Sequence, residues 1–244
     1  AEIGDKAGQI MTLANLGEVE RLRGDLAEAR RLYRQSLELA RAMGVKSLEA
    51  QALFGQGEVE SDAGDLAAAR RSHEAALALR TEIGEGTELP VSHLALAGLA
   101  LREGRAAEAD ALAEQALAAF EQADAGDGVL AARLVRAAAA LDRGRADDAA
   151  RELAAARSVA AQVQSVTLKL RLDMAESRRL AAAGQAARAV ERLQGVRDEC
   201  RRLGLVALEL ETRLWLARAE WTAGRRDAAR AGLDTLRRDA ATRG

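Results

Sequence analysis

Arg23-Gly24-Asp25-Leu26-Ala27-Glu28-Ala29 is the first of six versions of one phrase. It returns as Gly64-Asp65-Leu66-Ala67-Ala68-Ala69 and Gly104-Arg105-Ala106-Ala107-Glu108-Ala109, then through Gly144 and Gly184 to Gly224-Arg225-Arg226-Asp227-Ala228-Ala229. The six glycines stand 40 residues apart without a slip in register. A fixed period of about 20–50 residues marks a stacked-repeat solenoid, in which each unit buries its apolar face only on its neighbours.

On either side of the phrase the apolar residues recur at helical spacing. Ile10, Leu13, Ala14 and Gly17 form one stripe before Gly24; Leu26, Ala29, Tyr33, Ser36 and Leu37 form another after it. The pattern predicts helix, tight turn, helix, with Gly24 left-handed and Asp25 capping the second helix. Breaks between units are expected at Gly44, Gly84 through Thr87, Gly126-Asp127-Gly128 and Gly204, whereas the join near Gln164-Ser165 has no glycine. The units fall at 5–44, 45–84, 85–124, 125–164, 165–204 and 205–244, so twelve helices of about 15–18 residues are expected in one domain over residues 1–244.

Two further positions repeat. Five residues after each glycine stands alanine: Ala29, Ala69, Ala109, Ala149, Ala189 and Ala229. Seven before it stands another small residue: Gly17, Gly57, Ala97, Ala137, Ser177 and Ala217. Small side chains at facing positions let antiparallel helices approach to the low end of the usual spacing, about 8 Å.

Composition agrees with an all-α chain. Hydrophobic residues make up 49% but aromatics only 2%, so the core is alanine and leucine, unlike a β-sandwich. Pro90 is the single proline. The single cysteine, Cys200, excludes an internal disulfide and fits a reducing compartment. The longest charge-free run, 13 residues between Glu88 and Arg102, is too short to cross a bilayer. The start, Ala1-Glu2-Ile3-Gly4-Asp5-Lys6, has no signal-peptide character and no Met, and reads as a cut from a longer protein.

Leu16-Gly17, Gly24-Asp25, Ala29, Tyr33 and Ser36-Leu37 resemble the tetratricopeptide repeat over essentially the whole chain. Later units depart from the pattern. The Tyr33 position becomes Ala113, Leu153, Leu193 and Leu233, and the bulky Leu13 and Leu53 become His93, Arg133, Asp173 and Arg213. There Leu94, Leu134, Met174 and Leu214, one residue on, are expected to take over, with the first helix rotated. The 40-residue unit exceeds the usual length of about 34. It is similar to the longer variants found in bacterial multidomain signalling proteins. The resemblance implies a right-handed superhelix with the first helix of each pair lining a concave groove, and a role in binding a protein or peptide segment there.

Catalytic chemistry is thin. His73 and His93 could approach one another across a unit boundary, but no Cys, Asp or Glu stands beside them at ligand spacing. Cys200 lies near Arg197, Arg201 and Arg202, which could lower its pKa, without a partnered histidine. No glycine-rich phosphate loop is present. The chain therefore reads as a non-enzyme, with no metal and no cofactor.

Groove positions are those thirteen, ten, nine, six and three before each glycine. The sixth before reads Glu18, Glu58, Gly98, Ala138, Arg178, Arg218, acidic to basic. The whole chain follows: residues 1–122 hold 13 basic and 21 acidic residues (net −8), residues 123–244 hold 23 and 17 (net +6), giving −2. A bipolar groove would orient a ligand, while the plainer reading is a solvated surface with drifting charge. Nucleic acid is not expected, since the arginines are mixed with acids and no aromatic platform repeats. The carboxylate clamp of chaperone-binding relatives is missing, with Ala14 and Glu18 where it needs Lys and Asn.

Trp215 and Trp221 fall nine and three before Gly224 with Arg218 between them. Trp and Arg are enriched at binding hot spots, although large aromatics also pack in cores. Candidate partner-binding residues are thus Trp215, Arg218, Trp221, Arg178, Arg171, Glu58 and Glu18. They suit a ligand with an apolar or aromatic group beside an acid. Three functions stay open: an interaction module of a cytoplasmic bacterial signalling or regulatory protein, a sensor for a small effector or signalling peptide, and a spacer or self-association domain.

Overall fold

A computed structural model describes residues 2–241, and side chains from 6 to 239. Ala1 and residues 242–244, at the outer edges of the expected domain, lie outside the described residues. Twelve α-helices follow one another with no strand among the described residues: α1 (Glu2–Arg23), α2 (Leu26–Met43), α3 (Lys46–Asp62), α4 (Leu66–Glu82), α5 (Leu89–Arg102), α6 (Ala106–Gln122), α7 (Gly126–Asp142), α8 (Ala146–Ala160), α9 (Val166–Ala182), α10 (Ala186–Leu203), α11 (Val206–Thr222) and α12 (Arg226–Ala241). A 3-10 turn, Gly86–Glu88, precedes α5.

All six phrase glycines are left-handed, with φ between 70° and 89°. Each closes the same pair of bonds. In the first unit the Gly24 amide donates to the Arg21 carbonyl and the Asp25 amide to that of Glu20, both at 3.0 Å. The outer bond recurs at 2.7–3.0 Å in the five later units, up to Arg225 donating to Glu220. This double closure satisfies carbonyls that a helix end would otherwise leave unpaired. Asp25 and Asp65 then cap α2 and α4, accepting from the amides of Glu28 and Ala68. Arg145 and Gln185, at the same place in later units, make no such side-chain bond.

Joins between units reuse the device with less regularity. Gly44, Gly84 and Gly204 are left-handed at φ 66–70°. Gly126-Asp127-Gly128 is not the expected break, because both glycines lie inside α7. The turn is made instead by Asp124, at φ 52°, which is 40 residues after Gly84. Aspartate is among the few residues that tolerate that conformation. At the glycine-free join, Ser165 caps α9 by accepting from the Leu168 amide at 3.3 Å.

The chain gathers into two compact units, one ending at Ala119 and the other starting at Phe120. In the first, α1 packs on α2 and α3, α2 on α3, α3 on α4, and α4 on α5. In the second, neighbouring helices pair from α7 to α12, and α9 also meets α7 and α11, so alternate helices stand side by side. The largest core cluster of the second unit joins Leu170, Met174, Leu193, Val196, Leu208 and Leu216.

The repeated small residues sit where space is least. All six alanines five past the glycine are fully buried. Glycines facing aromatic rings leave no room for a methyl. A Cβ on Gly17 would stand 3.0 Å from Tyr33, one on Gly55 2.1 Å from the same ring, and one on Gly57 2.7 Å from His73. Gly128 has this role too: its Cβ would fall 2.4 Å from Phe120. That glycine is a notch for a ring.

The expected takeover by the residue next to the bulky position is realised at Leu134 and Met174, both buried, and in part at Leu94. It fails at Leu214, which is exposed, because Trp215 beside it packs on the α9–α11 core instead. The displaced polar residues find partners. Arg133 meets Glu121 and Glu152, Asp173 meets Arg192, and Arg213 meets Asp239.

Ala109→Leu should lower stability by about 1–3 kcal/mol by overpacking. Ala107→Leu, at an exposed site on the same helix, should change it little; thermal melts of the two variants check this. A second test uses the notch. Gly128→Ala ought to gain about 1 kcal/mol from helix propensity, yet its Cβ meets Phe120. Chemical denaturation should show a net loss for Gly128→Ala that shrinks when Phe120→Leu is added.

Candidate functional site

In the second unit, the last turns of α7, α9 and α11 converge on a cavity of about 390 Å³. Arg178, Trp215, Arg218 and Asp142 supply its polar and aromatic lining, with Ala181 and Thr222 beside them. Helical spacing explains the grouping. Trp215 and Arg218 are three apart on α11 and share a face, and Arg178 is one 40-residue period before Arg218.

Trp215 is half-buried, its ring packed against the core of α9 and α11. Two guanidiniums lie over that ring: Arg178 at 3.9 Å and Arg218 at 4.6 Å from its centre. Both are within the roughly 6 Å range of a cation–π contact. Arg178 also pairs with Asp142 at 3.0 Å. Burial pulls the Arg178 pKa below its ordinary value, Asp142 acts against that, and the nearby charge of Arg218 adds to it. Arg218 is exposed and forms no ion pair among the described residues.

The other two candidates of this region lie elsewhere. Trp221, nearly half exposed at 49%, turns toward α12, where Arg226 and Arg230 stand 5.5 and 5.9 Å from its ring. It does not line the cavity, so the trio of Trp215, Arg218 and Trp221 is not brought together. Six residues past Trp215, Trp221 is rotated roughly a third of a turn from it around the helix and lies on the side of the last helix. Arg171 is exposed and tied to Glu211, its counterpart one period later, at 3.2 Å.

Glu18 and Glu58 share a smaller cavity of the first unit, about 260 Å³, with Tyr33, Phe54, Asn15 and Gln51. Both are already engaged. Glu18 accepts from Nε and Nη2 along one edge of the Arg21 guanidinium, at 2.8 and 2.7 Å, and from the Tyr33 hydroxyl at 3.2 Å. The arginine holds the Glu18 carboxyl below the usual range despite partial burial, and burial together with Glu18 pushes the Tyr33 phenol well up. Glu58 lies 3.3 Å from Nε2 of His73.

The histidines do not form a joint site. His73 is buried on α4, edge-on to Phe54 at 4.9 Å and beside Glu58. His93, on α5, is half-buried, and burial lowers its pKa. No group of three His, Cys, Asp or Glu is placed to hold a metal among the described residues. The neighbouring arginines do not activate Cys200. It is fully buried, and burial pushes its thiol up. Those arginines face carboxylates instead: Arg197 meets Asp198, Arg201 meets Glu209 and Arg202 meets Glu199.

Sequence reasoning missed Asp142. It stands two before Gly144, as Asp62 stands two before Gly64, and Asp62 takes the Arg21 guanidinium at 2.6 Å. An acid two before the turn glycine, opposite an arginine of an adjacent unit, was the available signal.

Helix pairs closed by left-handed glycine turns and packed through buried alanines define a tetratricopeptide-type solenoid. The chain belongs to the family of the MalT-like TPR region, whose model matches residues 5–244. Solved structures share the fold. Aspartyl phosphate phosphatase F from Bacillus subtilis superposes with a TM-score of 0.81 at 13% identity, over 94% of this chain and 60% of its own. A Rap protein complexed with Competence and Sporulation Factor gives 0.71 at 13% identity, over 97% and 77%. BtubC from P. vanneervenii gives 0.57 at 18%, over 92% of both chains. The chain thus spans about three-fifths of the phosphatase's length. No curated protein matches it in sequence. Among the described residues, no helix is long and apolar enough to cross a membrane.

Cys200 should resist iodoacetamide in the native protein at mildly alkaline pH, since burial both shields the thiol and disfavours the thiolate. Mass spectrometry should show alkylation only after denaturation. Rapid native labelling would mean that α10 opens away from α11.

Proposed function

We propose that the chain is a protein-interaction module of a cytoplasmic bacterial signalling or regulatory protein, and that residues 5–244 act as one array. A peptide or protein segment would lie along the face lined by the first helices of the pairs, anchored at the cavity around Trp215. The observation that carries this reading is the pairing of a half-buried indole with two guanidiniums at an opening to solvent. A planar aromatic and arginines, already held in place, are the composition of a binding hot spot. Repeats of this type are typically non-catalytic interaction modules, although one neighbour is named a phosphatase. That a neighbour of the same fold was solved with Competence and Sporulation Factor supports the interaction reading. The acidic pocket residues Glu18 and Glu58 take a secondary place, because Arg21 and His73 already occupy them.

One observation favours a second reading. The cavity of about 390 Å³ falls in the range of small-molecule sites, about 300–1,000 Å³, so a small effector could be the ligand of a sensor.

Display of random peptides against the purified chain distinguishes the two. Selected peptides should lose at least about tenfold in affinity to Arg218→Glu, equal to roughly 1.4 kcal/mol, with the melting temperature unchanged because Arg218 is exposed. Peptides that bind the variant unchanged would remove the cavity from the interaction surface.

A further inference from the structure

The cavity around Trp215 holds more positive charge than its walls neutralise. Arg178 and Arg218 face one carboxylate, Asp142, and that carboxylate is bound to Arg178. Glu211, whose field also reaches Arg178, is held by Arg171. The two hydroxyls of the lining give their protons to backbone carbonyls: Ser177 to Asp173 at 2.7 Å, Thr222 to Arg218 at 3.0 Å. The donors left for a ligand are therefore guanidinium N–H groups, above all those of Arg218.

Geometry already suits an anion. Contact with the indole restrains both guanidiniums, so less side-chain freedom is lost when an anion arrives. A guanidinium offers a fork that matches carboxylate or phosphate oxygens.

Asp142 is the last residue of α7, at the negative end of the helix dipole, where an acid is disfavoured. Its side chain is 42% exposed. Such a carboxylate is free to move into solvent, but Arg178 is largely buried, so the exchange is cheap only when another acid takes its place beside the guanidinium. It does in the free protein what a ligand acid would do in the complex.

We propose that this cavity is a receptor for one anionic group, a carboxylate or a phosphate, joined to a flat apolar group. Arg218 takes the anion, Trp215 takes the flat group, and Asp142 is a built-in competitor that an incoming anion displaces from Arg178. The proposal rests on the reading that a ligand's anchor enters here, but it is testable without knowing the partner.

Trp221→Phe leaves Trp215 as the one tryptophan, so its emission reports the cavity alone. In that background, phenylacetate, phenyl phosphate and the neutral phenylacetamide are titrated at low and at physiological salt. At least one anion should change the emission saturably, more tightly at low salt, while the amide should not. The stronger of the two anions identifies the source of the group, an acidic side chain or terminus against a phosphoryl group. Arg218→Gln should weaken the anion at least about tenfold, and Asp142→Asn should tighten it severalfold with no loss of melting temperature. Silence with both anions, equal binding of the amide, or an unchanged Arg218→Gln would overturn the receptor. Weaker binding by Asp142→Asn would overturn the competitor role and make Asp142 a residue that positions Arg178. Anion binding without any displayed peptide would uphold the receptor and sink the interaction reading. Selected peptides lacking acids, with no response to either anion, would do the reverse.

Discussion

Everything in this fold depends on one backbone bond, made six times: the amide just past the turn glycine donating to a carbonyl five residues earlier. It requires a left-handed residue between donor and acceptor, which glycine supplies without steric cost. Once closed, it sets the angle at which the second helix leaves the first, and so which residues of the pair face one another. The buried alanine and the small residue opposite follow from that angle. A side chain larger than methyl at the alanine would separate helices that the turn holds together.

The units are not copies below that level. In the first two, Tyr33 and His73 fill the space between helices, and Gly17, Gly55 and Gly57 are cut back to receive them. In later units alanine or leucine takes the aromatic position, and the notch glycines give way to Ala97, Ala137, Ser177 and Ala217. Ring with glycine, or aliphatic side chain with methyl, are two ways to fill the same gap at close-packed density. Phe120 on Gly128 applies the first solution at a join between units, outside the periodic pattern.

The fold was legible because its signals are local. Spacing places the twelve helices, and the alternation of small residues identifies the faces that meet. What the sequence concealed depends on contacts across units. Gly128 looks like a helix breaker until Phe120 is seen against it. Asp124 looks like a surface acid until it is found left-handed at the join. At the candidate site, the pairing of Trp215 with Arg178 crosses from α11 to α9, although the position six before each glycine pointed to both arginines. Trp221 shared the groove-facing period, yet the helix ends there and its ring turns to α12. Cys200 lies beside three arginines in sequence, but each guanidinium turns outward to a carboxylate and leaves the thiol in the core.

Ion pairs between successive units have a mechanical consequence. Arg21 with Asp62, Arg171 with Glu211 and Arg178 with Asp142 each join a residue to an adjacent unit through a carboxylate open to solvent. Such links contribute little to stability and re-form readily, whereas the buried alanine contacts within a pair yield only by unfolding. Under tension along either stack, these polar links would let go first and reconnect afterwards, while apolar contacts between units, such as those joining Leu170 and Leu193 to Leu208 and Leu216, hold. Each stack would then behave as a stiff apolar spring fastened at its surface by polar clasps that can open and close.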